Sequence, residues 1–223
     1  MQALQLSELI ARTRRISDDA VAPYFVSDQE ITEYLNQAEI ELCKQKVLTS
    51  TKRYYATVNE PWLDLTVGGR ITVLEVKRIW FTDPDNAANF REGQVQSDRI
   101  DTIPRYLPNH MPAGIALGGR TGYGELIPTP DKAYIIDISM VHMPENTMES
   151  PQDEPSVDPR WQTFLPFGAA MYAMRGSETE HFSPGRLQSV EATWLSALHD
   201  AYVETKQREW NTRPVQFNGN GVW

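Results

Sequence analysis

The apolar residues of this chain change period twice along its 223 positions. They recur at helical spacing through Val47, alternate as in strands from Tyr54 to Val141, and return to helical spacing after Asp158. Helices at both ends can meet only if the strands between them form an excursion. The expected fold is therefore α+β: a helical body with a β-rich insertion and an extended C-terminal arm. The expected parts are residues 1–50 (N-terminal part of the body), 51–143 (β-rich insertion), 144–209 (acidic connector and C-terminal helices of the same body) and 210–223 (the arm).

A first helix is expected over 3–14, with Leu4, Leu6, Leu9 and Ile10 as its apolar residues. The segment from Ile16 to Phe25 reads as a loop. Ser27 with Glu30 forms a capping box that starts a second helix, because each side chain satisfies a free amide in the first turn. Ile31, Leu35, Ala38 and Leu42 fall on one stripe of that helix, and Ile40 and Val47 fall nearly opposite. Two apolar sides require either a second packing partner or a central place in the chain's own core. Ile40 and Val47 are accordingly candidate subunit contacts.

Tyr54–Val58 and Trp62–Leu65 are short strand candidates, and Gly68-Gly69 marks a turn. Residues 71–81, ITVLEVKRIWF, form a long β-prone run. Leu74, Val76 and Trp80 share one face of it, and Ile71, Val73, Ile79 and Phe81 share the other, which points to a bulge or to two packing layers. Residues 82–110 read as polar and irregular, with a turn at Asp83–Asn86. A three-stranded meander is expected over Ala113–Leu117, Tyr123–Ile127 and Ala133–Val141. Tyr134, Ile136, Ile138 and Met140 form the apolar face of its last strand.

The acidic, proline-containing stretch from Pro144 to Asp158 reads as an ordered connector or a mobile loop. Asp158-Pro159 and Ser183-Pro184 each suit the cap and first position of a helix. Pro166 must kink the first of these helices or start a new segment. Apolar residues cover most of its circumference, so a central position is expected. The last helix has Leu187, Val190, Glu191, Trp194, Leu198, Ala201, Tyr202 and Thr205 as its inner side.

The chemistry-bearing residues form no catalytic constellation. His110, His142, His181 and His199 are widely spaced, and none belongs to a zinc-ligand pattern. Asp153, Glu154 and Asp158 lack the spaced ligands of a calcium loop and read as a solvated acidic loop. GGRTGYG, residues 118–124, lacks the Gly-Lys-Ser/Thr ending of a phosphate loop and reads as a hairpin turn. From that turn Arg120 and Tyr123 are candidate partner contacts. Cys43 is the single cysteine, so no internal disulfide forms. No cofactor or metal is expected. The net charge of -9 argues against a broad basic surface that wraps nucleic acid. No apolar run approaches the roughly 20 residues that cross a bilayer, and MQALQLSELIARTRR does not read as a signal peptide.

The layout resembles the tailed-phage head-tail adaptor proteins, closest in style to those of short-tailed phages. The resemblance rests on SDQEITEYLNQAEIELCKQ, GYGELIPTPDKAYIIDISMVHMP, DEPSVDPRWQTFLPFGAAMYAM and LQSVEATWLSALHDAYVETKQREW, which together cover most of the chain. It implies a non-enzymatic virion protein at the head-tail junction, assembled in the host cytoplasm. It also implies a ring of copies, commonly twelve, between the portal protein and a tail nozzle or tail tube protein, with double-stranded DNA passing through it without strong binding. A C-terminal arm reaching the portal is a further implication, and Pro214, Val215, Phe217, Val222 and Trp223 would be its contacts. Another tail component or protein-binding module is the alternative, followed by an enzyme with a composite active site.

Overall fold

The computed structural model describes residues 3–66, 73–96, 110–117, 121–176 and 183–212; side chains are described at all of these except 176 and 209–212. Among the described residues five helices and seven strands run in the order α1 (Leu6–Ser17), α2 (Asp28–Cys43), β1 (Thr49–Tyr55), β2 (Trp62–Asp64), β3 (Val73–Asp83), β4 (Asn86–Gln96), β5 (Gly114–Leu117), β6 (Tyr123–Ile127), β7 (Ile135–His142), α3 (Pro159–Gln162), α4 (Leu165–Gly176) and α5 (Pro184–Thr212). Among the described residues no helix is long and apolar enough to cross a membrane.

The strands form one mixed sheet in the order β1-β7-β3-β4-β5-β6-β2. Among the described strands only the β4–β5 pairing is parallel. Gly114 lies at that junction: a Cβ there would sit 2.5 Å from the Gln94 carbonyl oxygen, so a side chain would push the two strands apart. The sheet curls into a half-barrel whose two ends share one core. Leu63 and Leu126 come from one end, and Ile79, Phe81, Ile136 and Ile138 from the other. Among the described residues no helical one belongs to that core.

This overturns the expectation of a helical body carrying a β insertion. The chain is β-rich, and its strands form a layer with its own core beside the helical one. Two misreadings led to that expectation. The stretch read as irregular, 82–110, contains the eleven-residue strand β4. Its NAANFREGQVQ has no apolar alternation because most of its residues are exposed, so periodicity gives no strand signal. The third meander strand, β7, does not follow β6 in space but lies between β1 and β3.

Within β3 the bulge is present. Register shifts occur between Val73 and Glu75 and between Val76 and Arg78. The extra residue puts Val76 on the buried face with Ile79 and Phe81, although strict alternation assigns it to the other face. The apolar face of β7 is as expected, with Tyr134, Ile136, Ile138 and Met140 all buried.

The helices enclose a second core. The Ser27–Glu30 capping box forms, with the Glu30 amide donating to Ser27 Oγ and the Ser27 amide to Glu30 Oε2. Ile31, Leu35, Ala38 and Leu42 are buried along one stripe of α2. Asp158 caps α3 by accepting the Arg160 amide at 3.0 Å. Pro166 stands in the first turn of α4, a new segment after α3, where it lacks no intrahelical partner. The helix α4 packs on α1, α2 and α5 and is therefore central.

At Gly168 the three helices α2, α4 and α5 meet. A Cβ there would lie 2.8 Å from Ala38 Cβ and 3.0 Å from the Trp194 ring. Ala38 and Trp194 are both fully buried. Gly168→Ala should therefore lower stability by about 1–3 kcal/mol through overpacking. Urea unfolding followed by circular dichroism should show an earlier midpoint; an unchanged midpoint would mean that the helices can separate without cost.

Candidate functional site

Three exposed faces follow from this packing, and no cluster of His, Cys, Asp and Glu suited to a metal ion occurs among the described residues.

The first face is the outer side of the sheet. Cross-strand register aligns Arg53, Asp137, Trp80 and Glu92 in one row, and Tyr55, Ile135, Thr82 and Phe90 in the next. Phe90 and Tyr55 are about two-thirds exposed, at 65% and 66%. Arg53 donates to both carboxylate oxygens of Asp137, at 2.8 and 3.0 Å, and this raises the guanidinium pKa above its already high value. A shallow depression of about 700 Å³ lies among Thr51, Arg53, Trp80, Thr82, Phe90 and Asp137. At the hairpin tip beside it, Lys132 bridges Asp83 at 2.6 Å and Asp85 at 2.9 Å. That pairing holds Asp83 below the usual carboxylate range.

The second face is a groove of about 710 Å³ between α1, α2 and the start of the connector. Its apolar lining is Leu6, Ile10, Ile40, Met148 and Pro151; its charged lining is Asp28, Glu33 and Glu149, with no Lys or Arg. The connector wall is ordered by specific hydrogen bonds. The Asn36 side chain donates to the Met148 carbonyl at 3.0 Å and accepts from the Met148 amide at 2.9 Å. The Asp153 carboxylate accepts the Glu149 and Ser150 amides, both at 2.8 Å, which lowers its pKa. Asp153 is thus a turn-closing residue.

The third face is the α1–α2 turn. Arg14 is buried and donates to Asp19 at 2.9 Å and to Asp28 at 2.5 Å. Asp19 also accepts the amides of Phe25 and Val26. The Tyr24 ring lies 3.7 Å over the Arg14 guanidinium. This network holds a turn that projects Val21 (82% exposed), Tyr24 and Phe25 outward.

The sequence-predicted contacts are dispersed. Ile40 is 37% exposed and lies in the groove. Val47 lies past the end of α2, which stops at Cys43, and packs half-buried on the helical core instead of facing away from it. Tyr123 opens β6, opposite Asp64 of β2, and is half-buried. It therefore belongs to the strand layer and does not join Ile40. Arg120 and the arm residues Pro214, Val215, Phe217, Val222 and Trp223 lie outside the described residues. The inner side of α5 is largely as expected, except that Tyr202 is 48% exposed. The sheet-face aromatics Tyr55, Trp80 and Phe90 were not anticipated as a set, because only the strand pairing brings them together.

The sequence matches the family described as SU10 adaptor protein over residues 4–217. The chain belongs to this family. An adaptor family agrees with the resemblance read from the sequence, although the match carries no information about tail length. No curated protein matches the sequence. Among solved structures the chain is similar to one described as "Virion of native gene transfer agent (GTA) particle", at 16% identity over 86% of this chain and 89% of that one, with a TM-score of only 0.28.

A carboxylate of the helical layer is buried: Glu39, on α2, is 1% exposed. Its carboxylate accepts the Ser156 amide at 2.5 Å and the Val157 amide at 3.3 Å. Burial raises its pKa from the usual 4.5 to about 7, although both amides pull the other way. The buried thiol of Cys43 is pushed up by its own burial and then by the Glu39 charge.

With a folded pKa above the unfolded one, folding takes up a proton between about pH 4.5 and pH 7. Stability from this group is fully present below the unfolded pKa and is lost as pH rises to about 7, by up to about 3 kcal/mol. Glu39→Gln keeps an oxygen acceptor for both amides and removes the titration. Relative to this variant the unmodified chain should lose stability across pH 5–7, measured by urea midpoints. A difference between the two proteins that does not vary with pH would refute the assignment.

Proposed function

We propose that the chain is a structural virion protein, one subunit of a ring between portal and tail that extends the DNA channel at the head-tail junction. The observation that carries this reading is the match to an adaptor family over residues 4–217. The exposed apolar side chains on three faces support it, because a chain that works alone has little use for an exposed Val21 or Phe90 in water. The partners in this reading are further copies of the chain, the portal protein, and a tail nozzle or tail tube protein. Assembly takes place in the host cytoplasm. The net charge of -9 suits a wall past which double-stranded DNA moves without being held. The protein has no catalytic role in this reading.

The test of the ring is the copy number in assembled particles, by native mass measurement or by electron microscopy of the junction. Several copies, twelve being the expected number from the resemblance, are the predicted outcome. A single copy per particle would overturn the ring.

The C-terminal arm from Arg213 to Trp223 is the portal contact in this proposal, with Pro214, Val215, Phe217, Val222 and Trp223 as the docking residues. A large aromatic anchor in a buried pocket contributes about 2 kcal/mol or more when measured by truncation to alanine. Deleting 213–223 should leave the circular dichroism spectrum unchanged and reduce co-sedimentation with portal-bearing heads. Normal folding with full attachment would remove the arm from the reading, and loss of folding would assign the segment to the chain's own body.

A further inference from the structure

The α1–α2 turn and the groove beside α2 have complementary chemistry. The turn segment Ala20–Phe25 carries no charged residue and projects Val21, Tyr24 and Phe25, which are 82%, 51% and 57% exposed. Exposed Arg12 and Arg15 flank it on α1, and the exposed Asp18 that caps α1 is paired within the chain with Arg186 at 3.0 Å. The groove has an apolar floor of Leu6, Ile10, Ile40 and Met148, and its charged rim is wholly acidic: Asp28, Glu33 and Glu149. Asp28 is partly neutralised within the chain by Arg14, which leaves Glu33 and Glu149 as the carboxylates that a basic partner would meet.

None of Val21, Tyr24 and Phe25 lines the groove of its own copy, and all three stay at least half exposed. At 100° per residue, Leu6 and Ile10 lie within 40° of each other on α1, whereas Arg15 lies about 180° and Arg12 about 240° round from Leu6. Within one copy the turn thus leaves the groove open. A contact between the turn of one copy and the groove of another would be heterologous, head-to-tail, the type that makes a ring when its rotation closes.

We propose that residues 21–25 of one copy seat in the α1–α2–connector groove of a second copy, with Arg12 and Arg15 of the first beside Glu33 and Glu149 of the second. The occupant is a second copy because the same chain carries both the basic, apolar knob and the acidic, apolar receptor. The knob is preorganised. Arg14 with Asp19, and Asp19 with the Phe25 and Val26 amides, fix the turn before any contact forms, so little ordering entropy is lost on docking. The inference gives the ring reading a specific interface and otherwise stands on the two surfaces alone. It holds for free copies at submillimolar concentration.

The experiment uses two full-length single variants, Val21→Cys and Ile40→Cys, mixed in equal amounts and oxidised gently; the native Cys43 is fully buried. The expected product is the mixed disulfide between the two variants, in clear excess over either homodimer. Self-association of the otherwise unmodified chain, followed by sedimentation, should weaken roughly tenfold or more with Val21→Asp. Arg15→Glu should weaken it too, and adding Glu33→Lys should restore it. A dominant Val21→Cys homodimer, no disulfide above background, or a chain that stays monomeric would each overturn the contact. Several copies in assembled particles together with a negative crosslink would leave the ring standing and remove this interface alone.

Discussion

The approach of α4 to α2 and α5 at Gly168 sets the geometry of the helical layer. Only a residue without a side chain lets the Ala38 methyl group and the Trp194 ring close on the same point. Once they are closed, the Glu41 carboxylate can accept from the Trp194 indole at 3.0 Å and from the Tyr172 hydroxyl at 2.8 Å. One side chain of α2 thus ties both C-terminal helices, and burial with this hydrogen bond raises the Tyr172 pKa to about 12. Arg186 completes the enclosure from α5 by donating to the Ile16 and Arg15 carbonyls at the end of α1. There the last carbonyls of a helix lack internal partners. The groove and the projecting turn inherit their positions from this frame.

Much of the helical layer was legible from the residues, since its signals are local. The Ser27–Glu30 box, the Asp158-Pro159 start and the Ile31–Leu42 stripe each need only a few neighbouring positions to be read. The strand layer was legible only where one face is buried, as in β7. The strand β4 was not, because its described residues are mostly exposed and its place depends on β3 and β5. The bulge in β3 was readable as an inconsistency of faces, but which residues it would bury was not. The same limit applies to the surfaces. Ile40 stood out as an apolar residue opposite the buried stripe, whereas Tyr55, Trp80 and Phe90 become one face only through pairing across four strands. Val47 was misplaced because the helix was extended past Cys43 on apolar spacing alone.

The family and the structure bear on different questions. Membership in an adaptor family gives the class of protein. The structure gives the chemistry of its faces: an aromatic sheet surface crossed by the Arg53–Asp137 pair, a groove with an acidic rim, and a stiffly held apolar turn. Such faces would be a liability on an isolated chain, yet buried ion pairs and main-chain hydrogen bonds stabilise the turn and the groove wall in defined shapes.

The β1–β7 ladder has a consequence for how the chain comes together. Its register pairs Thr49 with Val141, and the His142 amide donates to the Leu48 carbonyl at 3.1 Å. The end of the first helical pair and the beginning of the connector are thereby joined side by side, although some ninety positions separate them in the sequence. Closing so long a span costs entropy that grows slowly with its length, and the hydrogen-bonded ladder offsets part of that cost. With the ladder formed, the two helical halves are tethered neighbours at high effective concentration. Changes of length within the strand loops should leave that tether, and so the assembly of the helical core, largely undisturbed.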